Sequence, residues 1–134
     1  MRNPNQPKVR TVDITAEGVP GMPVAINKVD LPYLGSSHEF EGYLNGDVPV
    51  CIIFFDGRPG SGPKLHRHPY AEVFLVQEGS AIFTVGEETI EVGSGQIVVA
   101  PAGIPHKFVN SGAGPLRQID IHANDRFVTE WLED

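Results

Sequence analysis

Cysteine is almost missing from this chain. Cys51 is the only one, so no internal disulfide can form; the chain is held by packing alone, which suits a reducing cytoplasm. No apolar run approaches the length of a transmembrane helix. The first ten residues carry Arg2, Lys8 and Arg10 but lack the apolar run of a signal peptide, and a cytoplasmic protein is expected. Basic residues are scarce, 10 against 17 acidic ones, for a net charge of −7. That balance argues against nucleic acid or an anionic membrane as the main partner. Leucine is scarce too, with 7 residues against 25 valines and isoleucines, and the apolar content is therefore of the kind that suits strands. No internal repeat is present, and 134 residues make one domain.

What is abundant is turn chemistry. Fifteen glycines and twelve prolines are spread along the whole chain, which means many turns and few long helices and predicts many short strands. The fold class expected is all-β, an antiparallel barrel or jelly roll. Residues 1–35 read as an N-terminal arm with short strands near 9–14 and 24–29. Residues 36–123 read as the barrel, and 124–134 as a C-terminal segment. Within the barrel, strands are predicted at 38–44, 48–55, 71–77, 80–85, 89–92, 97–100, 106–110 and 116–122. Asn45-Gly46-Asp47 carries a hairpin signal, because asparagine and glycine accept positive φ. Asn124 or Asp125 could cap a short terminal helix with Phe127, Val128, Trp131 and Leu132 on one face.

Two segments concentrate the chemistry. The first, GSGPKLHRHPYAEVFLVQEG, runs from Gly60 to Gly79 and holds His66, His68 and Glu72. The second, GQIVVAPAGIPHKFVN, runs from Gly95 to Asn110 and holds His106. With side chains alternating at period two, His66, His68 and Glu72 share one side if their segment stays extended. A barrel would bring His106 to the same cavity from another strand. Phe108 and Asn110 share its parity, and Val98 and Ala100 can pack the floor. Imidazole nitrogen and carboxylate oxygen suit one divalent transition metal, namely Fe, Mn, Ni, Zn or Cu. Four protein ligands on an octahedral ion leave two positions open, and such an ion can polarise a carbonyl or stabilise an enolate.

These segments resemble the two motifs of the cupin superfamily. The matching positions are Gly60, His66, His68, Glu72 and Gly79, then Gly95, Pro101, Gly103, His106 and Asn110, with residues 80–94 as a short spacer like that of small microbial cupins. The resemblance implies a small single-domain, metal-binding type-2 cupin, an antiparallel β-barrel with the four ligands around one metal in its mouth. It implies a metal-dependent enzyme on a small organic substrate. Dioxygenase-like chemistry fits a shell of three histidines and one glutamate best; isomerase- or lyase-like chemistry through enolate stabilisation is also open. The alternative is a non-catalytic module that binds a small ligand, and a closed, purely structural zinc site is a third reading.

The remaining polar residues carry expectations of their own. Tyr70 and His122 are the candidate catalytic groups. Tyr70 reads either as a general acid or as a packed aromatic whose hydroxyl reaches water. His122, with Gln118 and Asp120 at the same parity, reads either as a polar row lining the cavity or as the solvated face of the last strand. His38 reads as a surface loop residue and Cys51 as a small core residue. Arg58, Lys64, Arg67 and Lys107 flank the motifs and hint at an anionic substrate. Val73 and Leu75 are apolar on the face opposite Glu72 and need a cover. Cupins commonly pair, so a homodimer is expected.

Overall fold

The computed structural model describes residue 21 and residues 23–134. Ten strands follow the alternation of side chains: β1 (Ser37–Glu41), β2 (Cys51–Gly57), β3 (His66–Arg67), β4 (Glu72–Glu78), β5 (Ser80–Val85), β6 (Glu88–Gly93), β7 (Ile97–Ala100), β8 (His106–Asn110), β9 (Leu116–His122) and β10 (Glu130–Trp131). They form two antiparallel five-stranded sheets, β1-β2-β9-β4-β7 and β10-β3-β8-β5-β6. Facing sheets of this kind bury one side of each strand and leave the other outside. In β9, Leu116, Gln118, Asp120 and His122 are buried, and Arg117 faces solvent. The apolar core lies beside the histidines, around Phe74, Phe83, Phe108, Val76, Val98 and Leu116. Edge-to-face contacts such as Phe74–Phe83, with centroids 4.9 Å apart, join the sheets across it.

Two expected elements differ in this region, and a third cannot be compared. The strand near 9–14 lies outside the described residues. Residues 24–29 form no strand; a 3-10 turn (Lys28–Asp30) closes there through Asp30 N–H to Asn27 O at 3.0 Å. The hairpin signal at 45–47 marks a real turn, with Gly46 at φ 86° and Asp47 at φ 55°. Strand pairing nevertheless begins only at Glu41–Cys51, so residues 42–50 are a long connection. A 3-10 turn (Gly42–Leu44) and the bond from Val48 N–H to Gly42 O consume the backbone there, and Pro49 has none to offer.

The C-terminal helix is absent as well. Asn124 Nδ2 donates to Arg126 O at 2.9 Å, turning the chain locally instead of capping a helix. Beyond it, the backbone bonds outward: Phe127 N–H to Glu41, Val128 N–H to Tyr70, Val128 O to His68. Glu130 and Trp131 then pair with Arg67 and His66 as an edge strand. Tertiary partners have taken the groups a helix would have needed.

Candidate metal centre

The two sheets meet around the motif histidines. His66 on β3 lies opposite His106 on β8 in the antiparallel register. Glu72 opens β4 in the other sheet, and His68 sits at the corner between them. Glu72 therefore does not share a strand face with the histidines; the chain turns at Pro69-Tyr70-Ala71 and brings it in from the facing sheet. The turn before His106 explains two motif residues. Gly103 takes φ 77°, which costs glycine nothing, and its N–H donates to His68 O at 2.7 Å, tying the two motifs together. Asn110 serves the loops: its Nδ2 donates to Gly57 O and Gly114 O, and its Oδ1 accepts from Gly112 N–H.

His66, His68, Glu72 and His106 are all buried, and one donor atom from each lies within 4.8 Å of the others. The Nδ1 atoms of the three imidazoles are each held by a backbone carbonyl: His66 by Lys64 O at 2.8 Å, His68 by Val128 O at 2.9 Å and His106 by Ile104 O at 2.9 Å. A carbonyl accepts, so each Nδ1 carries the proton and Nε2 is left to face the site. That is the arrangement a metal-binding histidine requires. His68 Nε2 is 3.0 Å from Glu72 Oε1 but off a hydrogen-bonding direction, which leaves a buried nitrogen without a satisfied partner. Such an atom costs free energy unless something else occupies the space it faces.

The charges agree with this. Burial lowers the pKa of His66 to about 4 and keeps it neutral, against the smaller opposing effect of the Lys64 carbonyl. Burial also opposes ionisation of Glu72, yet the nitrogens of His106, His122 and His68 outweigh it and hold the carboxyl well below the usual range. For His106, burial is outweighed by Glu72 Oε1 at 3.2 Å and the Ile104 carbonyl, and its pKa rises. Three nitrogens and one ionised carboxylate, all buried and without a lysine or arginine among them, fit a divalent transition metal.

Tyr70 and His122 form a second layer. Neither reaches solvent: Tyr70 Oη is 2.8 Å from His122 Nδ1 and accepts Val128 N–H at 3.2 Å. His122 lies on the inner face, with Nε2 3.1 Å from Glu72 Oε2. The cavity-row reading of His122 therefore holds, and Tyr70 is packed with its hydroxyl bonded internally. Burial pushes the Tyr70 hydroxyl up to about 12, so it stays a donor. His38 is not a loop residue; it pairs with Phe54 in β1, half-buried, with its ring 4.8 Å from Tyr33. Cys51 is fully buried, and burial raises its thiol to about 11.

The site opens on a cavity of about 530 Å³ whose lining includes Ile53, Phe55, Phe127, Thr129 and Trp131 besides the histidines. None of Arg58, Lys64, Arg67 or Lys107 lines it. Arg67 pairs with Glu130 at 2.9 Å and Lys107 with Glu133 at 3.3 Å, both outside. Asp120, read from sequence as part of the polar row with His122, lines the cavity, and so does Glu39, which was not singled out from sequence. The period-two pattern of β9 carried the reading of Asp120, and Glu39 had no comparable signal.

A family model described as the cupin domain matches residues 54–122, just over half of the chain, and the chain belongs to the cupin family. The HTH-type transcriptional regulator PuuR of Escherichia coli is 30% identical over 109 residues, an alignment covering 78% of this chain and 58% of PuuR. The chain thus spans little more than half the length of that relative. Among solved structures, an uncharacterized conserved protein with a double-stranded beta-helix domain from Klebsiella pneumoniae superposes with TM-score 0.63 at 21% identity, covering 77% of this chain and 90% of that one. Oxalate decarboxylase from Bacillus subtilis, a protein with Mn(II) centres, superposes with TM-score 0.67 at 21% identity, covering 75% of this chain and 29% of that one. At these identities the structures share the fold. Among the described residues no helix is long and apolar enough to cross a membrane.

Proposed function

We propose that the protein is a metal-dependent enzyme acting on a small organic molecule in the cavity beside the His66, His68, Glu72 and His106 cluster. The observation that carries this reading is the set of three buried imidazoles with Nδ1 tied to backbone carbonyls and Nε2 left for a metal. A divalent ion held by these four groups would supply Lewis acidity, stabilising an enolate or activating dioxygen. The chain's own residues do the rest. Aromatic and aliphatic walls exclude water, and Tyr70 and His122 hold the Glu72 carboxylate in place. Dioxygenase-like chemistry is the first reaction class to test, and isomerase- or lyase-like chemistry the second. Mn(II) is the first metal to try, on the strength of the structural neighbour.

The second reading is a non-catalytic module that binds a small ligand in the same cavity. It is favoured by the similarity to PuuR, a transcriptional regulator. One experiment separates the two. The purified chain is loaded in turn with Mn, Fe, Ni, Zn and Cu, its metal content measured, and oxygen uptake and substrate turnover followed over a panel of enols, diketones and hydroxy-ketones. Stoichiometric metal with turnover of any member supports the enzyme. Stoichiometric metal with ligand binding but no turnover supports the module, and failure to bind any of the metals defeats both as metal-centred readings.

A further inference from the structure

The charge of the cavity wall restricts what can enter it. Among the described residues, the lining contains the carboxyls of Glu39, Glu72 and Asp120 and not a single lysine or arginine. The seven described cations are all elsewhere. Arg67, Lys107, Arg117 and Arg126 are in ion pairs on the surface, Lys28 lies over the outer face of Phe54, and Arg58 and Lys64 border other surface depressions. Glu39 accepts from Ser37 Oγ at 3.1 Å and Asp120 from Gln118 Nε2 at 2.9 Å. Both donors are neutral, so each carboxyl stands against the cavity with no lysine or arginine to balance it. Burial raises the pKa of both, the expected response of acids lacking a countercharge.

Strand register places these carboxyls relative to the metal cluster. Glu39, Ile53, Asp120 and Phe74 stand in one cross-strand row, and Glu41, Cys51, His122, Glu72 and Ala100 stand in the next. Adjacent rows on one face are two residues apart, about 7 Å. Asp120 and Glu39 are separated by β2, about 10 Å between backbones, with Ile53 between them. His122 is buried and lines the cavity too, with Nε2 3.1 Å from Glu72 Oε2 but without a satisfied hydrogen bond. Aromatic rings of Phe55, Phe127 and Trp131 complete walls that favour a cation over an anion.

We propose that the cavity takes a small aliphatic amine, an amino alcohol or diamine. Its ammonium lies against Glu39 and Asp120, its other end faces the His66, His68, Glu72 and His106 cluster one row away, and the same walls reject dicarboxylates. This inference rests on reading the cavity as the ligand site beside a metal. It separates this chain from its oxalate decarboxylase neighbour, which shares the fold.

The test uses calorimetry on the whole chain, Mn(II)-loaded and EDTA-stripped, with three probes of one length: 3-aminopropan-1-ol, propane-1,3-diol and malonate. Mn(II) content is measured separately. The aminoalcohol should bind the loaded protein about tenfold or more tighter than the diol, as expected for one charge-assisted hydrogen bond, with malonate the weakest. Glu39→Gln and Asp120→Asn should each erase about tenfold of that preference while Mn(II) content stays unchanged. Malonate binding as tightly as the amine, no amine binding at all, or folded variants that keep the full preference would overturn the inference. The ranking of the three probes on the unaltered chain stands even if Asp120→Asn fails to fold. A protein that takes up no Mn(II) yet still prefers the amine defeats the metal reading alone; one that binds Mn(II) and prefers malonate defeats this inference alone.

Discussion

At His122, the order of donors and acceptors decides what the side chain can do. Val128 N–H occupies the Tyr70 oxygen, Tyr70 O–H donates to His122 Nδ1, and the His122 proton is left on Nε2 beside Glu72 Oε2. The three cluster histidines carry their proton on Nδ1, the opposite tautomer. His122 and Tyr70 are thus positioning residues for Glu72. Partners of this kind are worth about 10–100-fold in metal affinity. Tyr70→Phe and His122→Phe are expected to weaken Mn(II) binding by about that range in a chelator competition, whereas Glu72→Gln should remove it; wild-type affinity in both would refute the role. Cys51 shows the opposite case, a residue whose chemistry burial has switched off. With its thiol at about 11, alkylation by iodoacetamide at pH 8 should be far slower in the folded chain than in urea. The motif spacing was enough to read the four cluster residues. It could not show which oxygen or tautomer each group uses, because carbonyls from Lys64, Ile104 and Val128 decide that.

Among the strands, β5, β7, β8 and β9 are legible to the residue, since alternation and glycine or proline at one end or both bound them. The C-terminus was not legible, because its apolar spacing suits a helix face as well as it suits an edge strand. What decides is a bond partner 63 residues away: Arg67 forks onto Glu130 through Nε and Nη2 while Trp131 pairs with His66. The same pairing gives β10 a use as a reporter. Trp131 is the single tryptophan, and its ring lies 5.0 Å from that of His66. Mn(II) titration should quench its emission in step with metal uptake, and His66→Ala should abolish the saturable part. An emission spectrum indifferent to metal that is shown to be bound would place Trp131 away from the site.

For the whole molecule, the unanswered surface is the outside of the β1-β2-β9-β4-β7 sheet. Register lines up His38, Phe54, Ile119, Leu75 and Ile97 in one row and Phe40, Ile52, Ile121, Val73 and Val99 in the next. Nine of these ten are apolar and the tenth is the His38 imidazole, a composition ordinary for an interior. Ile97 is 62% exposed and Val99 55%, so among the described residues nothing covers that end. A contiguous apolar face of this kind marks an interaction site in a protein of net charge −7, and a self-complementary apolar face suits a second copy of itself related by a two-fold axis. Sedimentation equilibrium at micromolar concentration is expected to give a dimer. Ile97→Glu together with Val99→Glu should shift it to monomer, because each would bury a charge against its symmetry mate. Mn(II) uptake should be unchanged, because both side chains point away from the interior in which Val98 and Ala100 are buried. A wild-type monomer at those concentrations would leave the face to some other partner and remove the dimer from the account.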